Sequence, residues 1–157
     1  MRVVVDTNVL VSALLSARSL RAELIALWRE GRFDLLTSAE QLDELMRVTR
    51  YPRIRERLSP ALAGRLINEL REVAVMVSDL PPVTACADPY DNYLLAMVEA
   101  GHADCLVTGD KRDLLGMVRY EGGRIVNVRT FLAAYGRLSS SAPRRPKRSL
   151  EAFRAFY

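Results

Sequence analysis

Apolar positions along this chain change period several times, and the changes lay out its elements. Arg2-Val3-Val4-Val5-Asp6 opens with three consecutive β-branched residues and no polar alternation. That pattern suits a strand covered on both faces, as in a parallel sheet. Val9 to Leu15 then predicts a helix. Leu20, Leu24, Ile25, Leu27 and Trp28 recur at mostly helical spacing, with Gly31 as the stop. Phe33 to Thr37 reads as a second short strand. Ser38 with Gln41 three residues on has the capping-box pattern, and the helix it starts runs towards Arg50 before Pro52 forbids continuation. The core stripe of this helix is Leu42, Leu45, Met46 and Thr49, and a turn of about 100° per residue puts Glu44 on the solvated face. Ser59-Pro60 opens a further helix that buries Leu62, Leu66, Ile67 and Leu70. Ala74 to Val77 is a third strand or extended edge, and Pro81-Pro82 marks a loop. Asp88-Pro89 starts a helix carrying Leu94, Leu95 and Val98 to Gly101. Cys105 to Thr108 is a fourth strand. Arg124 to Val128 is a fifth, followed by a short helix through Phe131, Leu132 and Tyr135.

Strands alternating with helices at these lengths predict an α/β fold: three layers, with a central, mainly parallel sheet of four to five strands flanked by helices. A length of 157 residues fits one domain with one such core. We expect that domain over residues 1–135. Residues 136–157 form a basic, Ser/Pro/Arg-rich tail with a short amphipathic end at Leu150, Phe153, Phe156 and Tyr157.

Charge matters here through its location. The formal net charge is +4, from 23 basic and 19 acidic residues. From Gly136 onward there are six basic side chains (Arg137, Arg144, Arg145, Lys147, Arg148 and Arg154) against Glu151, which leaves residues 1–135 with 17 basic and 18 acidic, a net −1. The folded body is therefore not basic, and the tail is either a solubilising extension or an electrostatic arm for phosphates or an acidic partner. No apolar run is long enough to span a membrane, and no basic region followed by an uninterrupted apolar stretch marks a secretion signal. Cys86 and Cys105 are not closely spaced and have no His or Cys at ligand spacing, so we expect reduced, buried thiols in a cytoplasmic protein.

The candidate chemistry is carboxylate chemistry. Asp6 ends the first strand, and the carboxyl end of a strand is where open α/β sheets bind ligands; the same residue would also serve as a turn former or helix cap. Asp110 ends the fourth strand in the same way. Right-handed crossovers bring both to one sheet edge. Asp91, in the first turn of the helix opened by Asp88-Pro89, would face them, although the helix dipole alone explains an acid there. Carboxylates gathered this closely repel, and a hard divalent cation, Mg²⁺ or Mn²⁺, removes that cost where no His or thiolate is offered. Spacing does not choose among Glu40, Asp43 and Glu44 as a further ligand.

Four segments in order, Val5-Asp6-Thr7-Asn8-Val9-Leu10, Glu44 in the third helix, Asp88-Pro89-Tyr90-Asp91-Asn92-Tyr93 and Val107-Thr108-Gly109-Asp110-Lys111 before Leu114-Leu115, resemble the PIN-domain ribonucleases, in particular the VapC-like toxins of toxin–antitoxin systems. The resemblance covers about residues 1–135. It implies metal-binding, catalytic acids at Asp6, Glu44, Asp91 and Asp110, supporting polar groups at Asn8 and Thr108, and Asp88 as an accessory acid or simply a cap. It also implies a homodimeric, metal-dependent endoribonuclease acting on RNA and held in check by a small antitoxin. Positive potential for RNA would come from Arg18, Arg21, Lys111 and Arg112, and from Arg144, Arg145, Lys147 and Arg148 of the tail. Asp104 and Asp113 read as surface charge, and His102 as an exposed loop residue. Three other readings compete, one of them a purely structural protein, against which the clustering of carboxylates at strand ends argues. A haloacid-dehalogenase-type phosphatase needs a second Asp where this chain has Asn8, and a catalytically silent module of the same fold would bind RNA or a partner without cutting.

Overall fold

A computed structural model describes residues 1–109 and 112–138. Its sheet comprises β1 (Arg2–Val5), β2 (Asp34–Thr37), β3 (Val75–Met76), β4 (Cys105–Val107), β5 (Arg119–Tyr120) and β6 (Gly123–Val126). The spatial order is β3-β2-β1-β4-β6-β5, and every pairing is parallel except the β5–β6 hairpin. Around it lie α1 (Thr7–Leu15), α2 (Leu20–Arg29), α3 (Ala39–Val48), α4 (Pro52–Arg55), α5 (Pro60–Val73), α6 (Asn92–Ala100), α7 (Leu114–Met117) and α8 (Val128–Leu138).

The expected three-layer α/β architecture is present, with six strands where four to five were expected. The additional strand, β5, has two residues, too few to show a period of two. It exists because Glu121 and Gly122 both take positive φ, 44° and 85°, and so turn the chain back as a tight hairpin. The four-residue helices α4 and α7 escaped the sequence pattern for the same reason of length. Helix α8 runs to Leu138, past the boundary expected at residue 135. The rest of the tail lies outside the described residues.

Alternate residues of β1 serve opposite faces. Val3 and Val5 join a core built with α1, α2, α3, α5 and α8, while Val4 joins a second core with α6 and α7. All three are fully buried. This explains the unbroken Val run, since a central parallel strand has no solvent face. From β1 the chain order runs outward through β2 and β3 on one side and through β4 and β6 on the other. The sheet therefore has its switch point between β1 and β4, and a crevice at their carboxyl ends is the favoured ligand site of such sheets. Among the described residues no helix is long and apolar enough to cross a membrane.

Candidate metal centre

Asp6 lies at this switch point. Val5 pairs with Val107, and the Asp6 N–H donates to the Val107 carbonyl at 2.9 Å, so the residue leaves β1 directly beside the end of β4. Its side chain is 3% exposed. One carboxylate oxygen accepts the Asn8 N–H at 2.9 Å and the other accepts the Thr108 hydroxyl at 2.6 Å. Asp6 is thus both the cap of α1 and a strand-end carboxylate held from two elements. Hydrogen bonds to a charged acceptor are among the stronger ones, so its orientation is well fixed. Asn8 and Thr108, expected as supporting polar residues, are the groups that supply the hold.

A cleft of about 390 Å³ opens at the same edge, lined by Asn8, Val9, Ser12, Arg21, Asp88, Asp91, Gly109 and Asp113. Asp88 and Asp91 both reach it. Asp88 also accepts the Tyr90 N–H at 2.9 Å, so it is a cap as well as a cleft residue. Asp91 closes a 3-10 turn over Pro89–Asp91 instead of standing third in an α-helix, and α6 begins one residue later. Asn92 accepts the Cys86 N–H at 2.9 Å, tying down the loop that precedes the turn. Asp113, expected as plain surface charge, is a cleft residue and stands at the start of α7. Its position just past the carboxyl end of β4 was the signal that could have found it.

Glu44 departs from the sequence expectation. It is half-buried, with its side chain 24% exposed, and the Tyr93 hydroxyl donates to its Oε2. Tyr93 in turn shares a hydrogen bond of 2.8 Å with the Thr7 hydroxyl. The polar face of α3 therefore turns towards α6. Arg47, one turn on, approaches Glu44 at 3.7 Å from an exposed position. Burial pushes the Tyr93 hydroxyl well above its ordinary range, and the bond to Glu44 adds to the rise, which keeps it a neutral donor. Neither Thr7 nor Tyr93 carried a signal in the sequence, because both were read through their neighbours Asp6 and Asp91.

The donor set fits a hard cation. Asp6, Asp88, Asp91, Asp113 and Glu44 offer oxygen alone. Cys86 is buried, and burial pushes its thiol up; a backbone hydrogen bond at Asp88 acts the other way, and the charges of Asp91, Asp113 and Asp88 add to the rise. A protonated thiol is a poor ligand. Among the described residues no group of three or more His, Cys, Asp or Glu side chains is placed to hold a metal ion. Asp110 and Lys111, like Arg144, Arg145, Lys147 and Arg148, lie outside the described residues. Of the other expected RNA-facing cations, Arg18, Arg21 and Arg112 are exposed, and Arg21 alone of these three lines the cleft.

The sequence profile of the PIN domain matches residues 2–112, most of the chain and every cleft residue just described except Asp113. The chain belongs to the PIN domain family. A solved structure of VapBC2 from Rickettsia felis, bound to a DNA fragment from its promoter, contains a chain of the same fold. The two are 14% identical, and the match covers 81% of this PIN domain and 98% of that chain with a TM-score of 0.53. Comparison with curated protein sequences gives no match.

Proposed function

We propose that this PIN domain is a Mg²⁺- or Mn²⁺-dependent endoribonuclease that hydrolyses RNA phosphodiester bonds, acting as the VapC-like toxin of a toxin–antitoxin pair. The observation that carries the reading is Asp6: a nearly fully buried carboxylate, fixed through both oxygens at the switch point, beside a cleft walled by Asp88 and Asp91. Burying a carboxylate is costly, and the bonds from Asn8 and Thr108 offset part of that cost.

In this reading Asp6, Asp91 and Asp110 hold the cation and Glu44 completes the set. Held by these carboxylates, a divalent ion would supply Lewis acidity, lowering the pKa of a ligated water and offsetting charge on the phosphate. Thr108 and the Asn8 backbone keep Asp6 aimed. Asp88 and Asp113 add negative potential at the rim, and Arg21 offers a phosphate the one positive side chain that lines the cleft among the described residues. Arg18, Lys111, Arg112 and the tail residues Arg144, Arg145, Lys147 and Arg148 extend the hold on the polyanion. Its partners would be a second copy and a small antitoxin protein; the neighbouring VapBC2 structure is itself a complex on promoter DNA.

The test is cleavage of a mixed single-stranded RNA pool, with and without Mg²⁺ or Mn²⁺, by the native protein and by Asp6→Asn. Metal-dependent cutting that Asp6→Asn loses at least a hundredfold, with its circular dichroism unchanged, is the expected result. Equal cutting by both proteins sinks the site assignment, and binding of RNA without cutting by either favours a silent binding module.

A further inference from the structure

We propose that Tyr93 is a positioning residue, whose hydroxyl ties the Glu44 carboxylate to Thr7, the neighbour of Asp6; the inference rests on the metal-centre reading above. Three elements meet at this one oxygen. Tyr93 belongs to the first turn of α6, two residues after Asp91. Thr7 opens α1, immediately after Asp6, and Glu44 lies mid-way along α3. Tyr93 donates to Glu44 Oε2, and its bond to Thr7 Oγ1 is 2.8 Å. A phenol has a single proton, and a carboxylate can only accept. The direction is therefore fixed: Tyr93 gives its proton to the Glu44 bond, and Thr7 donates to the Tyr93 oxygen. The chain Thr7, Tyr93, Glu44 runs one way, ending on a charge, and such chains strengthen link by link.

Among the described residues, no other contact of Glu44 could set its position as well. Arg47 is 3.7 Å away, its side chain is 58% exposed and it sits one turn along the same helix, so that pair is weak and leaves the carboxylate free to swing. Tyr93 instead ties Glu44 to the residues next to Asp6 and Asp91, which belong to other elements. Glu44 keeps 24% of its side chain exposed, enough to reach a ligand. A tyrosine retained for packing alone would do as well as phenylalanine, since the ring fills the same volume in both.

Tyr93→Phe removes the anchor and keeps the ring. We expect Mn²⁺ affinity, read by calorimetry or by the electron-spin signal of free Mn²⁺, to fall about tenfold, within the range seen when a ligand's orienting partner is lost. Cleavage should recover towards the native rate at high Mn²⁺. In a Glu44→Gln background the same Tyr93→Phe change should cost less than twofold further, because its effect passes through Glu44. Thr7→Val, which removes the donor behind Tyr93, should give a smaller loss in the same direction and stands in should Tyr93→Phe not fold. Unchanged Mn²⁺ affinity in Tyr93→Phe and Thr7→Val, beside a loss in Asp6→Asn, overturns the role given to Tyr93 and leaves the metal centre intact. An equal loss with and without Glu44 also overturns it. Unchanged affinity in Asp6→Asn overturns the metal centre, and the role of Tyr93 with it.

Discussion

Gln41 is fully buried on α3, and its side chain does what the capping-box pattern did not foresee. Ser38 caps the helix as expected, accepting the Gln41 N–H at 3.3 Å. The Gln41 amide reaches across to the sheet instead of back to Ser38. Its nitrogen donates to the Val5 carbonyl at 2.7 Å, and its oxygen accepts the Thr37 hydroxyl at 3.0 Å. One polar side chain thereby satisfies groups at the carboxyl ends of β1 and β2, and it draws the next turn of α3, with Glu44, towards the site. Removing it strands two buried polar groups, each costing about 1–3 kcal/mol. Gln41→Leu should therefore lower the unfolding free energy by roughly 2–4 kcal/mol in urea denaturation. Glu40→Ala, one residue earlier and exposed, should stay within about 0.5 kcal/mol of the native protein. The amphipathic pattern misplaced Glu44 because it counts Gln as a surface residue. Once Gln41 is placed inside, the buried arc of α3 widens to reach Glu44.

Among the elements, α6 and its flanks are the most instructive. Its start was legible to within one turn: Asp88 caps the 3-10 turn that carries Pro89, α6 itself begins at Asn92, and the apolar run from Leu94 to Val98 is buried throughout. Its end was legible too, at Gly101. Gly101 terminates the helix without taking positive φ, its value being −84°. The residue is small because a Cβ there would stand 2.6 Å from both the Leu36 Cδ1 and the Met97 carbonyl oxygen. It marks where α6 presses on β2. Gly64, in the middle of α5, meets nothing within 4 Å of the same imaginary atom. Alanine should consequently act with opposite signs at the two sites. Gly101→Ala should destabilise by about 1–3 kcal/mol through overpacking. Gly64→Ala should stabilise by about 0.5–1 kcal/mol through helix propensity. Thermal melts of the two variants side by side test this, and a shared sign would refute the packing argument.

At the scale of the whole molecule, the two cysteines report on the completeness of burial. Both are free and buried, in accord with the sequence expectation for the thiols. Cys105, between Val3 and Arg124 in the sheet, has its thiol pushed up from 9.0 to about 11, chiefly by burial, with Arg124 pulling down and Asp104 adding to the rise. The folded state therefore holds this proton more tightly than the unfolded chain. Its contribution to stability is complete below pH 9 and is lost as the pH climbs from about 9 to 11, by roughly 2–3 kcal/mol. Tyr120, raised by burial and by its bond to Glu99, changes stability in the same direction. Urea midpoints should accordingly hold steady from pH 7 to 8.5 and fall above pH 9, less steeply in Cys105→Ala. An unchanged slope in that variant would assign the alkaline transition to Cys86 and the tyrosines, which are raised as well.

The sequence by itself determined what depends on local periodicity and on end chemistry: the strands built around β1, β2, β4 and β6, the longer helices with the Ser38 and Ser59 caps of α3 and α5, the α/β class, and Asp6 as a strand-end carboxylate. These follow from neighbours a few residues apart, which a pattern can hold. Only the tertiary structure decided that β1 and β4 lie side by side, so that Thr108 holds Asp6 across 102 positions of sequence. It also decided that Asp113 joins the cleft, that Gln41 is inside, and that Tyr93 links Glu44 to Thr7. Such pairings are set by how layers stack and by which polar groups must find partners once water is excluded. No local period in the chain records that geometry.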